Sequence, residues 1–225
     1  MTDRNVERAA RVDTASLSDA LDKLGITGQC LGIKPLSHSF RMCGRSFTLS
    51  YAPAGPGGTV GDFIDDVPKG AVIAIDNRGR PDATVWGDIL TLCAHRGKLA
   101  GTVIDGACRD THLALELGYP IYSRTYSMRT GKDRVQLESA RTVVSIGGAR
   151  IDAGDILRGD SDGVVAIPQS REEEVLDLAE RIEAVEARIR DAVLAGVRLD
   201  EARREQGYHK LQTRTSEEED GRKRK

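Results

Sequence analysis

Apolar residues recur along this chain at two periods, and each period predicts its own kind of element. Over residues 14–24 (TASLSDALDKL), Leu17, Ala20, Leu21 and Leu24 fall at helical spacing, which predicts a short amphipathic helix stopped by Gly25. Residues 45–51 (RSFTLSY) alternate and predict a strand, and PAGPGG at 53–58 predicts a loop. The middle of the chain is the most regular. Ala71–Ile75 is a short apolar run followed by the turn-rich DNRGRPD, and a helical pattern then covers 85–96, closed by Gly97. Next come the apolar run Gly101–Ile104, the loop DGACRD, a helix over 110–117 ending in Gly118, and the strand-like Pro120–Ser123. Strand, helix, strand, helix, strand at these short spacings predicts parallel βαβ crossovers, hence an α/β fold.

Residues 124–140 (RTYSMRTGKDRVQLESA) are polar and turn-like. Thr142–Ile146 and Gly163–Ile167 read as strands bracketing the Gly-Asp-rich DAGDILRGDSDG. Beyond them Ser170 and Glu173 have the spacing of a capping box at the head of a long helix. Along that helix Val175, Leu178, Ile182, Val185, Ile189 and Ala192 form a narrow apolar stripe, closer to a coiled-coil seam than to a core-facing surface. The stripe predicts that the helix packs on a neighbouring subunit. The pattern divides the chain into an extension at 1–13, a catalytic unit at 14–168, a helical segment at 169–212 and a charged, disordered tail at 213–225.

Composition narrows the function classes. The chain has 225 residues with 39% hydrophobic and only 4% aromatic, so Val, Ile, Leu and Ala must build the core. With 33 basic against 35 acidic residues, no global field favours nucleic acid or an anionic membrane. The terminal RKRK follows an acidic run and is weak support for a nucleic-acid patch. Cys30, Cys43, Cys93 and Cys108 lack C-x-x-C spacing, so free thiols are expected rather than zinc ligands or disulfides. The charged start resembles no signal peptide and no run is long enough to span a bilayer, so a cytoplasmic location is expected.

In open α/β sheets the ligand crevice lies beyond the carboxyl ends of parallel strands. Two such ends are visible here, one leading to Gly87 and Asp88, the other to Asp105, Gly106, Arg109 and Asp110. A helix opening near Gly87 presents free N–H groups at Asp88, Ile89 and Leu90, which suit a carboxylate or phosphate; a first-turn acid that merely stabilises the helix is the alternative. The Arg109 guanidinium is a planar fork for a carboxylate or enolate oxygen, and Asp110 is a hard oxygen ligand suited to magnesium or manganese. A surface arginine beside an N-cap aspartate is the plainer reading. Glu183 and Glu186 flank the apolar stripe and face either solvent or another subunit. His38, His95, His112 and His209 have no ligand-like spacing, and no P-loop, G-x-S-x-G or dinucleotide fingerprint occurs.

The stretch WGDILTLCAHRGKLAGTVIDGACRD at 86–110 resembles the central motif of the RraA-like family, which includes 4-hydroxy-4-methyl-2-oxoglutarate / 4-carboxy-4-hydroxy-2-oxoadipate aldolases. LSDALDKLG, GRSFTL at 44–49, ELGYPIYSR at 116–124 and GDSDGVVAIP at 159–168 extend the resemblance over about residues 14–200. It implies a layered α/β sandwich around a central sheet, assembled as trimers or hexamers with active sites between subunits. It also implies a pyruvate-releasing lyase that uses magnesium or manganese, with oxaloacetate decarboxylation as a side activity. By motif, Asp110 would contact the metal and Arg109 the pyruvyl carboxylate or keto oxygen. The amides after Gly87 would take the carboxylate, Asp88 would act through water, and Glu186 (or Glu183) would reach in from a neighbour. The family also contains a regulatory branch that binds RNase E without catalysis, which is the alternative function. Two segments depart from the family pattern: DAGD at 152–155, and TYSMRTGKDRVQLESA, which points to a different far half of the substrate.

Overall fold

A computed structural model describes residues 3–208. The chain opens with helices α1 (Arg4–Arg11) and α2 (Thr14–Leu24), then strands β1 (Lys34–Pro35), β2 (Met42–Pro53) and β3 (Val72–Thr84). Helix α3 (Asp88–Arg96), strand β4 (Gly101–Cys108), helix α4 (Thr111–Leu117) and strand β5 (Ile121–Tyr126) follow. Strands β6 (Val135–Ala140), β7 (Val144–Ile146), β8 (Ala149–Ile151), β9 (Ile156–Gly159) and β10 (Val164–Ile167) lead to helices α5 (Glu172–Leu194) and α6 (Leu199–Glu205).

The main sheet runs β1-β5-β4-β3-β2-β9-β10, with β6 also paired to β2, and it curls into a nearly closed barrel. Strands β2, β3, β4 and β5 are parallel, as the βαβ spacing predicts. Their pleat feeds two apolar layers. Ile73 and Ile75 join Trp86, Ile104 and Ile121 on one face, while Val72 and Ala74 join Val103, Tyr122 and Leu157 on the other. A sheet covered on both faces has continuous apolar strands, which is why the runs at 71–75 and 101–104 stand out in the sequence.

Several loop expectations are corrected. DNRGRPD lies inside β3, where Arg78 and Gly79 take positive φ and the register to β4 shifts twice. DGAC completes β4 rather than forming a loop, because this strand is buried along its whole length. QLESA belongs to β6, whose alternating burial packs one face and wets the other. ILRG, inside DAGDILRGDSDG, is the fully buried β9, joined to both β2 and β10.

The helical layer also differs from expectation. Ser170 and Glu173 do not form a capping box: a 3-10 turn covers Gln169–Arg171, Arg171 is the N-cap, and no side chain caps it. Glu172 and Glu173 instead accept from Asn5, and pair with Arg45 and Arg8 respectively. The stripe Val175, Leu178 and Ile182 packs against Ala9, Val12, Leu17 and Leu21 of the same chain, and Val185 and Ile189 pack against Ala202. The stripe is thus already covered without a neighbouring subunit. Residues 4–12, set apart in the sequence as an extension, supply part of that layer through α1. Asp160 ties α2 to the sheet by accepting from the Thr14 N–H at 2.8 Å and hydroxyl at 2.7 Å. The 213–225 tail and His209 lie outside the described residues. Among the described residues no helix is long and apolar enough to cross a membrane.

Candidate active site

The ends of β3 and β4 are laced together beyond the sheet. Val85 N–H donates to the Ala107 carbonyl at 3.3 Å and Arg109 N–H to the Trp86 carbonyl at 2.9 Å. Trp86 is buried, stacked at 6.4 Å on Tyr119, and its indole N–H donates to Thr91 at 2.9 Å. The Thr91 hydroxyl in turn donates to the Gly87 carbonyl at 2.9 Å. Gly87 is therefore held from below by a rigid aromatic floor, and it occupies the N-cap of α3 with no capping side chain of its own.

Asp110 is an N-cap residue by position only. It stands at the N-cap of α4 in the left-handed region (φ 52°, ψ 39°), yet its side chain does not cap that helix. An aspartate tolerates this conformation better than most side chains. The carboxylate turns instead towards α3, where Oδ2 accepts from the Asp88 N–H at 3.4 Å and lies 3.4 Å from the Arg109 Nε. A Cβ at Gly87 would stand 2.8 Å from that oxygen and 3.3 Å from the Arg109 Nε. The absent side chain is what lets both groups approach the helix terminus. The Arg109 and Asp110 side chains remain 38% and 32% exposed, so both keep hydrogen-bonding capacity for a ligand.

A cavity of about 420 Å³ opens beside this cluster; Gly87 and Arg109 line it, whereas Asp110 stands behind them and is not among its lining residues. Gly87, Asp88, Ile89, Leu90 and Arg109 line one side, over a floor of Val85 and Trp86. Most of the rest of the lining comes from two loops, Gly57–Asp62 and Thr130–Asp133. The sequence singles out no residue of either loop as a site residue, although the second lies in the segment that points to a different far half of the substrate. Both are short, polar and without period. Lys132 adds a second cation to the lining. Asp88 spends one carboxylate oxygen on the Ile89 N–H at 2.8 Å.

Other sequence candidates lie elsewhere. Asp105 does not reach this edge: it is buried, paired with Arg124, and accepts from the Gly147 N–H at 2.7 Å. Glu186 accepts from the Tyr208 hydroxyl at 3.3 Å and pairs loosely with Arg190 at 3.6 Å, and it is not among the residues lining the cavity. Glu183 is absent from the lining too; burial pushes its carboxyl above the ordinary range, with Asp13 adding to the effect. His38, His95 and His112 do not line it either. The four cysteines are free, and burial pushes the Cys30 and Cys43 thiols up to about 12, which makes them inert at neutral pH.

The donor set can be tested against a divalent cation. Among the described residues no three His, Cys, Asp or Glu side chains cluster as ligands within one subunit. Magnesium, however, takes one or two direct carboxylates and fills its remaining positions with water or substrate oxygens. One partly exposed carboxylate beside a ligand-sized cavity fits that requirement, and Asp110 is the residue that would hold the ion.

Comparison with known proteins identifies the family. Residues 14–166 match the model of the RraA-like family, described as Aldolase/RraA. A Halalkalibacterium halodurans protein named "Putative 4-hydroxy-4-methyl-2-oxoglutarate aldolase" is 34% identical, over 82% of this chain and 88% of its own length. Protein DlpA of Legionella pneumophila is 39% identical over 90% of this chain, but the chain spans only 34% of that longer protein. Among solved structures, an uncharacterized protein from Pseudomonas syringae pv. tomato superposes with a TM-score of 0.85 at 39% identity, covering 90% of this chain and 98% of that one. Streptomyces coelicolor RraAS2, described as an unusual member of the RNase ES inhibitor RraA family, superposes at 0.77 with 26% identity, covering 83% and 96%. The chain is a member of the RraA-like family.

Proposed function

We propose that this protein is a divalent-metal-dependent lyase that cleaves a carbon–carbon bond of a 4-hydroxy-2-oxo acid and releases pyruvate. The observation that carries the reading is the placement of Asp110, turned away from its own helix and held beside Arg109 against the side-chain-free Gly87. The aldolase names of several relatives support the same reaction class.

The 2-oxo acid carboxylate binds the N–H groups at the start of α3, at Leu90 and at Ile89, where it displaces the Asp88 carboxylate oxygen that the Ile89 N–H meets at 2.8 Å and where the helix dipole favours an anion. Arg109 donates to the keto oxygen and meets the negative charge that builds there as the bond breaks. A magnesium or manganese ion held by Asp110 would add Lewis-acid stabilisation of the same charge. Asp88, beside the cavity, orients a water that takes the proton from the substrate hydroxyl. Oxaloacetate has no such hydroxyl, so its loss of carbon dioxide needs no base, only Arg109 and the positive charge of the metal that Asp110 would hold. A further acid, Glu186 or Glu183, is contributed from a second subunit of a trimer or hexamer. The exposed Ile89 and Leu92 beside the site are the apolar surface such a neighbour would cover.

The test is pyruvate release from oxaloacetate and from 4-hydroxy-2-oxo acids, with magnesium and with excess EDTA. Turnover should need the metal, and Asp110→Ala should abolish it. Turnover indifferent to chelator, or surviving in Asp110→Ala, would refute the metal assignment. The similarity to Streptomyces coelicolor RraAS2 supports a second reading, an RNase E-type inhibitor. Inhibition of that nuclease by a catalytically silent protein would favour it.

A further inference from the structure

The two loops that share the cavity with Gly87 come from distant parts of the chain, and one residue joins them. Asp133 Oδ1 accepts from the Gly57 N–H at 2.8 Å, and the Asp133 N–H donates to the Gly58 carbonyl at 2.9 Å. The two contacts need Asp133 at φ 61°, a left-handed conformation in which a short acceptor side chain is favoured. On its other side the same turn is pinned to the strand that leads to Gly87. The Thr84 N–H and hydroxyl both donate to the Arg129 carbonyl, at 3.2 and 2.9 Å, and a Cβ at Gly131 would stand 2.2 Å from the Thr84 carbonyl oxygen. The Gly57–Asp62 loop is held separately further along, by the Leu137 N–H donating to the Thr59 carbonyl at 3.4 Å and by Tyr51 donating to the Val60 carbonyl, and just before it by the Ala54 N–H donating to the Arg134 carbonyl at 2.9 Å. Asp133 holds its first two residues, Gly57 and Gly58.

We propose that Asp133 is a positioning residue that latches the Gly57–Asp62 loop to the Thr130–Asp133 turn, and so fixes the wall against which the far half of the substrate packs. The inference rests on the lyase reading above and adds how substrate length is selected. The pyruvyl half is held at Gly87–Leu90 and Arg109, which the latch does not touch. A four-carbon acid fills that end. A longer 4-hydroxy-2-oxo acid extends towards Lys132 and the Gly57–Asp62 loop, and feels whether the wall is in place. A preordered wall lowers the cost of binding, so its loss appears in KM.

The experiment compares Asp133→Ala, Asp133→Asn and Asp133→Gly in the full chain with magnesium. Hydrogen exchange is read over residues 53–62, and kcat and KM are measured on oxaloacetate and on a six-carbon 4-hydroxy-2-oxo diacid. In Asp133→Ala and Asp133→Gly, exchange should quicken, and KM for the longer acid should rise about 10-fold, the loss of one charge-assisted hydrogen bond. kcat and the oxaloacetate KM should stay within about two-fold. Asp133→Asn keeps an acceptor oxygen and should behave as wild type. Unchanged exchange in Asp133→Ala, wild-type behaviour of Asp133→Gly, or an equal rise in KM for both acids would overturn the latch. A wild-type protein inert towards both acids would sink the lyase reading, while exchange across 53–62 would still decide whether the latch exists.

Discussion

Gly87 has an ordinary extended backbone (φ −148°, ψ −165°), so the fold does not demand a glycine there. The site does, because a methyl group would push aside the Asp110 carboxylate and the Arg109 guanidinium, two flexible tips that can swing away without disturbing the core. Gly87→Ala should therefore leave Tm within about 2 °C of wild type while kcat/KM falls by at least about 100-fold. Normal turnover in that variant, measured by pyruvate release, would reduce Gly87 to a spacer. That Arg109, Asp110 and Gly87 come together was legible in the sequence, because two buried apolar runs of one parallel sheet carry the chain to the same edge. Lys132 and Asp133 were not. They gain meaning only through a loop 76 residues away from Asp133 in the chain, a contact that leaves no periodic trace.

At the scale of elements, the same contrast separates β4 and α3 from β6 and β9. Buried runs and helical stripes declare themselves, whereas a strand as short as ILRG, carrying an arginine and bounded by Gly and Asp, looks like a turn until its partners are known. Arg158 in that strand is buried but donates to the Val12, Met42 and Gly159 carbonyls, which satisfies its charge where no sequence pattern would reveal it. The junction of α1 with α5 is held in a similar way. Arg8, with a side chain only 13% exposed, reaches Glu173, Asp177 and Glu180 at 2.6–2.8 Å. The Arg8 hydrogen bond holds the Glu180 carboxyl below its ordinary range. At Glu172 burial pushes the other way, but bonds from Arg45 and Asn5 win and the net direction is also down. A depressed carboxylate stabilises the fold above its unfolded pKa, near 4.5 for a glutamate, and that stability is lost as pH falls through the lower folded value. Arg8→Leu should therefore cost about 1–2 kcal/mol at neutral pH, once solvent screening of the half-exposed acids is allowed for. The gap from wild type should narrow as pH drops below about 4.5. Denaturation curves at several pH values would show it; a gap constant with pH would mean that Arg8 acts through packing alone.

For the whole molecule, two of the exposed apolar patches lie in unlike places. Ile89 and Leu92 are exposed on α3, and Leu194 and Leu199 are exposed where α5 passes into α6. Two different patches on one chain suit a head-to-tail contact, which closes into a ring when the rotation per subunit allows. The sequence pointed to the long helix as the interface for a reason the structure removes, since its stripe is filled by α1, α2 and α6. What α5 and α6 leave over is their exposed end, which carries Glu186 nearby, bonded to Tyr208. If that end supplies the site of the next subunit, the two halves of one catalytic centre sit on different chains, and two defective proteins can repair each other. Asp110→Ala and Glu186→Ala should each be inactive alone. Co-expressed in equal amounts, they should regain about a quarter of wild-type turnover, because about one interface in four then joins an intact Asp110 to an intact Glu186. A mixture that stays inactive while forming mixed oligomers would place the acid within a single subunit. Full activity of Glu186→Ala alone would move the role to Glu183, whose carboxyl burial already favours the proton-holding form.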